Sequence, residues 1–145
     1  KPELDAWIPG EHNGTFRGNN LAFVTATEAL SYWEDKTFQL EILSKSNLIG
    51  RFLQEIVEKY PEAKGEVRGR GLIQGIAFKP DELARKVSKI AFQHGLIIEV
   101  CGLKDEVLKL IPPLIIDELG LTTGLNILQQ SIEIALCQYE VCQTH

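Results

Sequence analysis

The chain has 145 residues, 44% of them hydrophobic, which is enough to bury a core and argues against disorder. Its 15 Lys and Arg side chains against 20 Asp and Glu give a formal net charge of −5. This balance argues against a general nucleic-acid or membrane-surface binder, because both need a basic face to meet phosphates. No apolar run approaches the roughly 18–20 residues of a membrane-spanning helix. We therefore expect a cytoplasmic protein.

The three cysteines show no CxxC spacing, and the three histidines lie far apart in the sequence. This pattern predicts reduced thiols and no metal site, because structural metals usually have clustered ligands. The chain contains no Met, even at its first position. We expect from this a piece of a longer protein rather than a complete gene product.

The first 19 residues are rich in Pro, Gly and Asn, which predicts an irregular segment that packs on another surface. A helix is expected from Asn20 to about Trp33, capped by Asn19 or Asn20. A second helix is expected from about Asp35 to Tyr60, where Pro61 ends it because proline lacks the backbone donor.

After Pro61 the spacing of the hydrophobic residues is typical of strands in some segments and of helices in others. The pattern of apolar residues and glycines over Glu66–Phe78 predicts two short strands or one bulged strand. The pattern over Asp81–His94 predicts a third helix. Leu96–Val100 and Val107–Ile111 are expected to pair as strands, and Leu121–Tyr139 predicts a last amphipathic helix. The fold class that follows is α+β, with a small, mostly antiparallel sheet covered by helices.

The segment Gly10–Asn20 places small residues, the Thr15 hydroxyl and the Arg17 guanidinium directly before a helix start. Such a segment can bind an anion such as a phosphate through free backbone N–H groups and the hydroxyl. It can also be an ordinary capped turn, which the composition alone favours. The residues alone leave both interpretations open.

Lys109 is the one cation in the apolar stretch Val107–Leu114, which contains the pair Pro112-Pro113. Strand alternation can point this side chain away from the core into solvent. It can also aim the ammonium at a carboxylate in a cleft. From the residues alone these alternatives are evenly balanced.

Two other features are superficially similar to functional motifs. Gly69–Gly75 has the spacing GxGxxxG, which is not the dinucleotide fingerprint, so we expect its glycines to serve strand geometry. Lys45 falls within the second predicted helix, on the flank of its buried stripe. We interpret it as a helical surface lysine and not as a catalytic one.

Four segments together resemble the C-terminal part of the class III, fold-type I, pyridoxal-phosphate aminotransferases. They occur in the expected order and cover nearly the whole chain. The first segment is most similar to the branch that acts on diaminobutyrate and 2-oxoglutarate. The four segments are Lys1–Asn20, Val67–Leu72, Gly95–Glu99 and Val107–Leu114.

The resemblance implies roles for particular residues. Thr15, with Gly14 beside it, matches the position that reaches across a dimer interface to the phosphate of pyridoxal 5'-phosphate. Arg17 and Lys109 are candidate substrate-binding residues. Many members of the class have an arginine at the position of Lys109, and lysine keeps the charge but loses the bidentate fork. Residues 1–19 would form a cofactor and dimer-interface segment of the large domain, and residues 20–145 the C-terminal small domain.

The resemblance also implies that the lysine forming the Schiff base with the cofactor precedes Lys1. We therefore expect no catalytic residue in this chain and no activity from it alone. The parent would be a homodimer or higher homo-oligomer that moves the terminal amino group between L-2,4-diaminobutyrate and 2-oxoglutarate or glutamate. Two alternatives remain: a transaminase for ornithine, acetylornithine or 4-aminobutyrate, and a non-catalytic dimerisation or regulatory module.

Overall fold

The computed structural model describes residues 2–11, 13–80 and 82–143, and side chains as far as residue 138. The chain divides into two compact units, one that ends at Gln39 and one that begins at Leu40.

The first unit contains one α-helix and short 3₁₀ turns. Helix α1 spans Asn20–Ser31 and continues into a 3₁₀ turn, Tyr32–Glu34. The Asn19 side chain accepts a hydrogen bond from the Ala22 backbone N–H at 3.1 Å, which confirms the predicted cap. No residue of α1 is buried within the chain.

Helix α2, Lys36–Lys59, is the second predicted helix, and its central part carries the buried stripe. Ile49, Leu53 and Ile56 lie at helical spacing on one face and are almost fully buried. The next residues form a 3₁₀ turn, Pro61–Ala63, so the helix ends just before Pro61 as expected.

Four antiparallel strands form the sheet of the second unit: β1 Glu66–Arg70, β2 Ile73–Ala77, β3 Glu99–Cys101 and β4 Val107–Leu110. Their order is β1-β2-β4-β3, so β2 and β4 are the two inner strands. Between residues 66 and 78 the structure therefore has two strands joined by a tight turn. The α+β prediction with a small antiparallel sheet is confirmed.

Helix α3, Leu83–Gln93, packs against β3, β4 and helix α4, Glu118–Gln143. Apolar side chains from α2, α3, α4 and the sheet meet in one core. Its most completely buried large apolar members are Ile49, Leu53, Ile76, Leu83, Val87, Leu108, Leu128 and Ile132.

The start of β3 and both ends of α4 were predicted wrongly, since α4 ends at Gln143, four residues beyond the predicted end, and one further boundary lies outside the described residues. β3 begins at Glu99 and not at Leu96, because the Leu96 N–H bonds the Ala91 carbonyl and the Ile98 carbonyl accepts from Ser88. These bonds tie the segment back to α3 instead of to a strand. Helix α4 begins at Glu118, three residues before the predicted start. Asp81, expected to begin the third helix, lies outside the described residues.

The end of β1 and the turn after it contain two glycines with different steric surroundings. Gly69 has φ +113°, and a Cβ there would collide with the Ile73 carbonyl oxygen. Gly71 has φ +61°, with open space where a Cβ would project. Only the first position therefore combines a strained backbone with a steric clash.

We expect Gly69→Ala to lower the free energy of unfolding by at least about 2–3 kcal/mol, from strain and collision together. Gly71→Ala is the matched control and should cost about 1 kcal/mol, because only the left-handed backbone is penalised. Urea denaturation of the two variants measures the difference. Equal losses would contradict this turn geometry.

Candidate functional site

The segment before α1 is built from short-range turns. The Arg17 N–H donates to the Gly14 carbonyl at 3.1 Å, and the Asn13 side chain donates to the Gly10 carbonyl at 3.1 Å. Gly14, Thr15 and Arg17 therefore lie in one turn, immediately before the cap of α1.

The Thr15 side chain is exposed, and no hydrogen bond joins its hydroxyl to any residue that the structure describes. A hydroxyl in this state can donate to an oxyanion, and a nearby guanidinium adds positive charge. Arg17 supplies that charge in the same turn and is also exposed. This donor set has the chemistry to bind an oxyanion such as a phosphate group.

Lys109 lies in the other unit, on the inner strand β4. Leu108 and Leu110 on either side of it are buried, so alternation points Lys109 away from the core, as one of the two interpretations expects. The register places Glu99 of β3 directly opposite. The Lys109 Nζ lies 2.8 Å from Glu99 Oε2, with the two side chains 30% and 66% exposed.

The electrostatics of this pair follow from the contact. The hydrogen bond from Lys109, reinforced by its charge, lowers the pKa of the Glu99 carboxyl below its ordinary value. The same hydrogen bond raises the pKa of Lys109. The residues alone allowed a carboxylate partner for Lys109 but carried no signal that placed Glu99 in that position.

An apolar groove of about 520 Å³ lies beside the Glu99–Lys109 pair. Its walls come from the segment after α3, the Pro112-Pro113 segment and the first turns of α4. Glu99 and Lys109 are the two charged residues among those that line it. The arrangement can therefore receive an apolar chain that carries a charged end group.

The remaining sequence predictions about chemistry concern Lys45 and bound metals. Lys45 lies on α2, and its Nζ donates to the Leu114 carbonyl at 3.1 Å, consistent with a helical lysine in a structural contact. Among the described residues, no cluster of His, Cys, Asp and Glu side chains has the make-up of a metal site. None of the helices described has both the length and the apolar character needed to cross a membrane.

Gly14, Thr15 and Arg17 lie together in the first unit, whereas Lys109 lies in the second. The structure thus defines two separate groups of candidate residues. Each has its own local geometry.

Relatives of known name match most of the chain. The diaminobutyrate–2-oxoglutarate transaminase of Halalkalibacterium halodurans is 59% identical over 133 residues, covering 92% of this chain and 31% of that protein. The enzyme of the same name from Vibrio cholerae is 49% identical over 131 residues, covering 90% of this chain and 32% of that protein. The chain therefore spans about a third of the length of these relatives.

Solved structures and the family model agree with this match. An acetylornithine aminotransferase from Elizabethkingia anophelis superposes with a TM-score of 0.70 at 27% identity, covering 89% of this chain and 34% of that one. The ornithine δ-aminotransferase of Plasmodium falciparum superposes with a TM-score of 0.66 at 30% identity, covering 88% of this chain and 32% of that one. The model of the class III aminotransferases matches residues 3–132. The chain therefore belongs to the class III aminotransferase family.

Proposed function

We propose that this chain is the C-terminal part of a transaminase that moves the terminal amino group between L-2,4-diaminobutyrate and 2-oxoglutarate or glutamate. The observation that carries the proposal is the 59% identity over 92% of the chain with a relative of that name. The acetylornithine and ornithine enzymes share only 27% and 30% identity with it.

The Thr15 turn is the part of this chain that would hold the cofactor phosphate. When bound, pyridoxal 5'-phosphate supplies the electron sink for amino-group transfer. The Thr15 hydroxyl would donate to a phosphate oxygen of the opposite subunit's cofactor, with Gly14 allowing close approach, and Arg17 would face the substrate. The exposed Thr15 hydroxyl, which has no partner among the described residues, supports this role.

Residues 1–19 would belong to the large domain at the dimer interface, and residues 20–145 to the small domain. The surface of the first unit supports an interface, because an apolar surface that stays in water is unfavourable. Large apolar side chains of this unit are 60–86% exposed within the chain; they include Trp7, Ile8, Phe16, Leu21, Phe23, Val24 and Leu30. In the homodimer this surface would contact protein rather than water.

Lys109 would bind a substrate carboxylate. A carboxylate oxygen of Glu99 already lies 2.8 Å from its ammonium, which supports its capacity for this contact. The exposed pair is weak in water, so a substrate carboxylate can compete for Lys109 without a large loss. The adjacent apolar groove would accommodate the methylene chain of the substrate.

The substrate assignment is tested by comparing amino donors with the full-length enzyme that contains this chain. With 2-oxoglutarate as acceptor, we expect kcat/KM for L-2,4-diaminobutyrate to exceed that for ornithine by about tenfold or more, since one methylene changes specificity by about that factor. Acetylornithine and 4-aminobutyrate are the other donors to compare, and glutamate formation is the measurement. A preference for any of these three would overturn the assignment.

The 145-residue chain alone is the control in that assay. We infer that it forms no glutamate, because none of its lysines is assigned to covalent cofactor binding and Lys45 contacts the Leu114 carbonyl. Transamination by the chain alone would contradict this inference. If the full-length protein were also inactive with all four donors, the non-catalytic alternative would be favoured.

Thr15→Ala in the full-length enzyme should weaken cofactor binding by about tenfold, because a hydrogen bond to a charged group is lost. Thr15→Ser keeps the hydroxyl and should bind the cofactor nearly as the unaltered enzyme does. Thr25→Ala is the control, because the Thr25 hydroxyl bonds the Leu21 carbonyl within α1. Loss of cofactor absorbance during dialysis measures the three affinities. Equal cofactor loss from Thr15→Ala and the unaltered enzyme would exclude a phosphate contact.

Lys109→Met should return the pKa of Glu99 towards its ordinary value, because the ammonium that lowers it is gone. The carboxyl carbon of Glu99, followed by NMR during a pH titration of the 145-residue chain, reports this change. Since the folded-state pKa is lowered, the stabilisation is present above the ordinary carboxyl pKa and is lost as pH falls through the lowered one.

Glu66 is the internal reference for that titration. Its pKa is lowered by Arg68 and should not respond to the Lys109 substitution. A Glu99 titration that is unchanged in Lys109→Met would show that the pair does not form in solution.

A further inference from the structure

A second groove lies between helix α2 and the turn that joins β1 and β2. Its volume is about 550 Å³, and polar atoms make up much of its lining. Helix α2 provides one wall and the Gly69–Gly71 turn provides the other. The lining residues are Ser46, Asn47, Gly50, Arg51, Gly69, Arg70, Gly71 and Gln74.

The groove is held open by a buried amide. Gln74 is 9% exposed, and its Nε2 donates to the Ser46 carbonyl at 2.9 Å and to the Gly71 carbonyl at 2.6 Å. These two bonds tie the turn of the hairpin to the helix that faces it. Because Gln74 satisfies both carbonyls at once, the two walls keep a fixed separation without a ligand.

Two arginines line this groove and no acidic residue does. No ion pair or hydrogen bond joins the Arg51 or Arg70 guanidinium to any residue in the described part of the chain.

Two other arginines of the same unit are paired with acids. Arg68 contacts Glu66 at 2.8 Å, and Arg85 contacts Asp105 at 2.6 Å. In a chain of net charge −5, the groove thus concentrates two uncompensated positive charges.

We propose that this groove binds a small oxyanion, the carboxylate or phosphate group of a soluble molecule. The Arg51 and Arg70 guanidinium groups approach the anion from the helix and from the turn, and each offers paired N–H donors that match two oxygens. The Asn47 amide, on the same wall as Arg51, adds a neutral donor. The proposal does not depend on the transaminase's substrate.

The test uses the full-length enzyme loaded with cofactor, so that the cofactor fills its own phosphate site. Its Tm is measured against inorganic phosphate at constant ionic strength, with KCl as the compensating salt. Binding to the folded protein should raise Tm in a saturable way. Each of Arg51→Gln and Arg70→Gln should raise the half-saturating phosphate concentration by about tenfold, and the double variant by more.

Arg68→Gln is the matched control, since Arg68 is an exposed arginine of the same hairpin that is paired with Glu66 outside the groove. It should leave the half-saturating concentration unchanged. Repeating the titration with succinate distinguishes the two sources of the anion: a response to succinate alone indicates a carboxylate ligand, and a response to phosphate alone indicates a phosphate ligand.

No saturable rise with either anion would overturn the proposal, as would equal half-saturation in the unaltered enzyme and the double variant. A third outcome is a lower Tm of the double variant without added anion, together with no anion response in the unaltered enzyme. This outcome would indicate that an acidic protein segment fills the groove, and it would also overturn the proposal. If the double variant fails to fold, the half-saturating concentrations of the two single variants are compared with that of the unaltered enzyme, and equal values would overturn the proposal.

Discussion

The antiparallel pairing of β4 between β2 and β3 is the constraint on which the second unit depends. Because successive side chains alternate across a strand, burying Leu108 and Leu110 in the core forces Lys109 to the opposite face. The pairing with β3 then brings Glu99 opposite Lys109. On the other side, Gly75 faces Lys109, where a Cβ would collide with the Leu108 carbonyl oxygen. A shift of one residue would bury the charge and expose the core.

The elements that sequence predicted well are those whose own periodicity carries the signal. Helix α2 shows its buried stripe at helical spacing, and β4 shows alternation around a single cation. The start of β3 has no such signal, because it is set by two hydrogen bonds with α3: the Leu96 N–H donates to the Ala91 carbonyl, and the Ile98 carbonyl accepts from the Ser88 hydroxyl. The early start of α4 depends on Asp117, whose side chain accepts the Gly120 N–H at 2.6 Å. Contacts with another element thus decide the start of β3, whereas the start of α4 follows a local capping residue that the hydrophobic pattern does not show.

Single candidate residues could be predicted from the sequence, whereas the pairs that the fold brings together could not. Thr15 and Lys109 were identified with their candidate roles from the resemblance to the class III family. Glu99 was not predicted as the partner of Lys109, because that pairing depends on the register between β3 and β4. In this register Cys101 lies opposite Val107 and Glu99 lies opposite Lys109. Arg51 and Arg70 are 19 positions apart on different elements, so only the fold brings them to one groove. Sequence pattern detects residues that act within one element, and it is weak for pairs that tertiary structure assembles.

The two groups of candidate residues differ in what holds them in place. The Glu99–Lys109 pair is attached to a sheet whose neighbouring residues are buried, so the core of the same unit fixes its geometry. The Thr15 turn is closed by a bond between Gly14 and Arg17, and the residues around it are exposed. Local bonds fix the shape of such a turn but not its position relative to a ligand, because no packing within the described part of the chain restrains it. A phosphate contact by Thr15 therefore requires a protein surface against the first unit, whereas a carboxylate contact by Lys109 needs only the sheet. For this reason substitutions at the proposed dimer interface should weaken the proposed Thr15 contact before they affect the Lys109 pair.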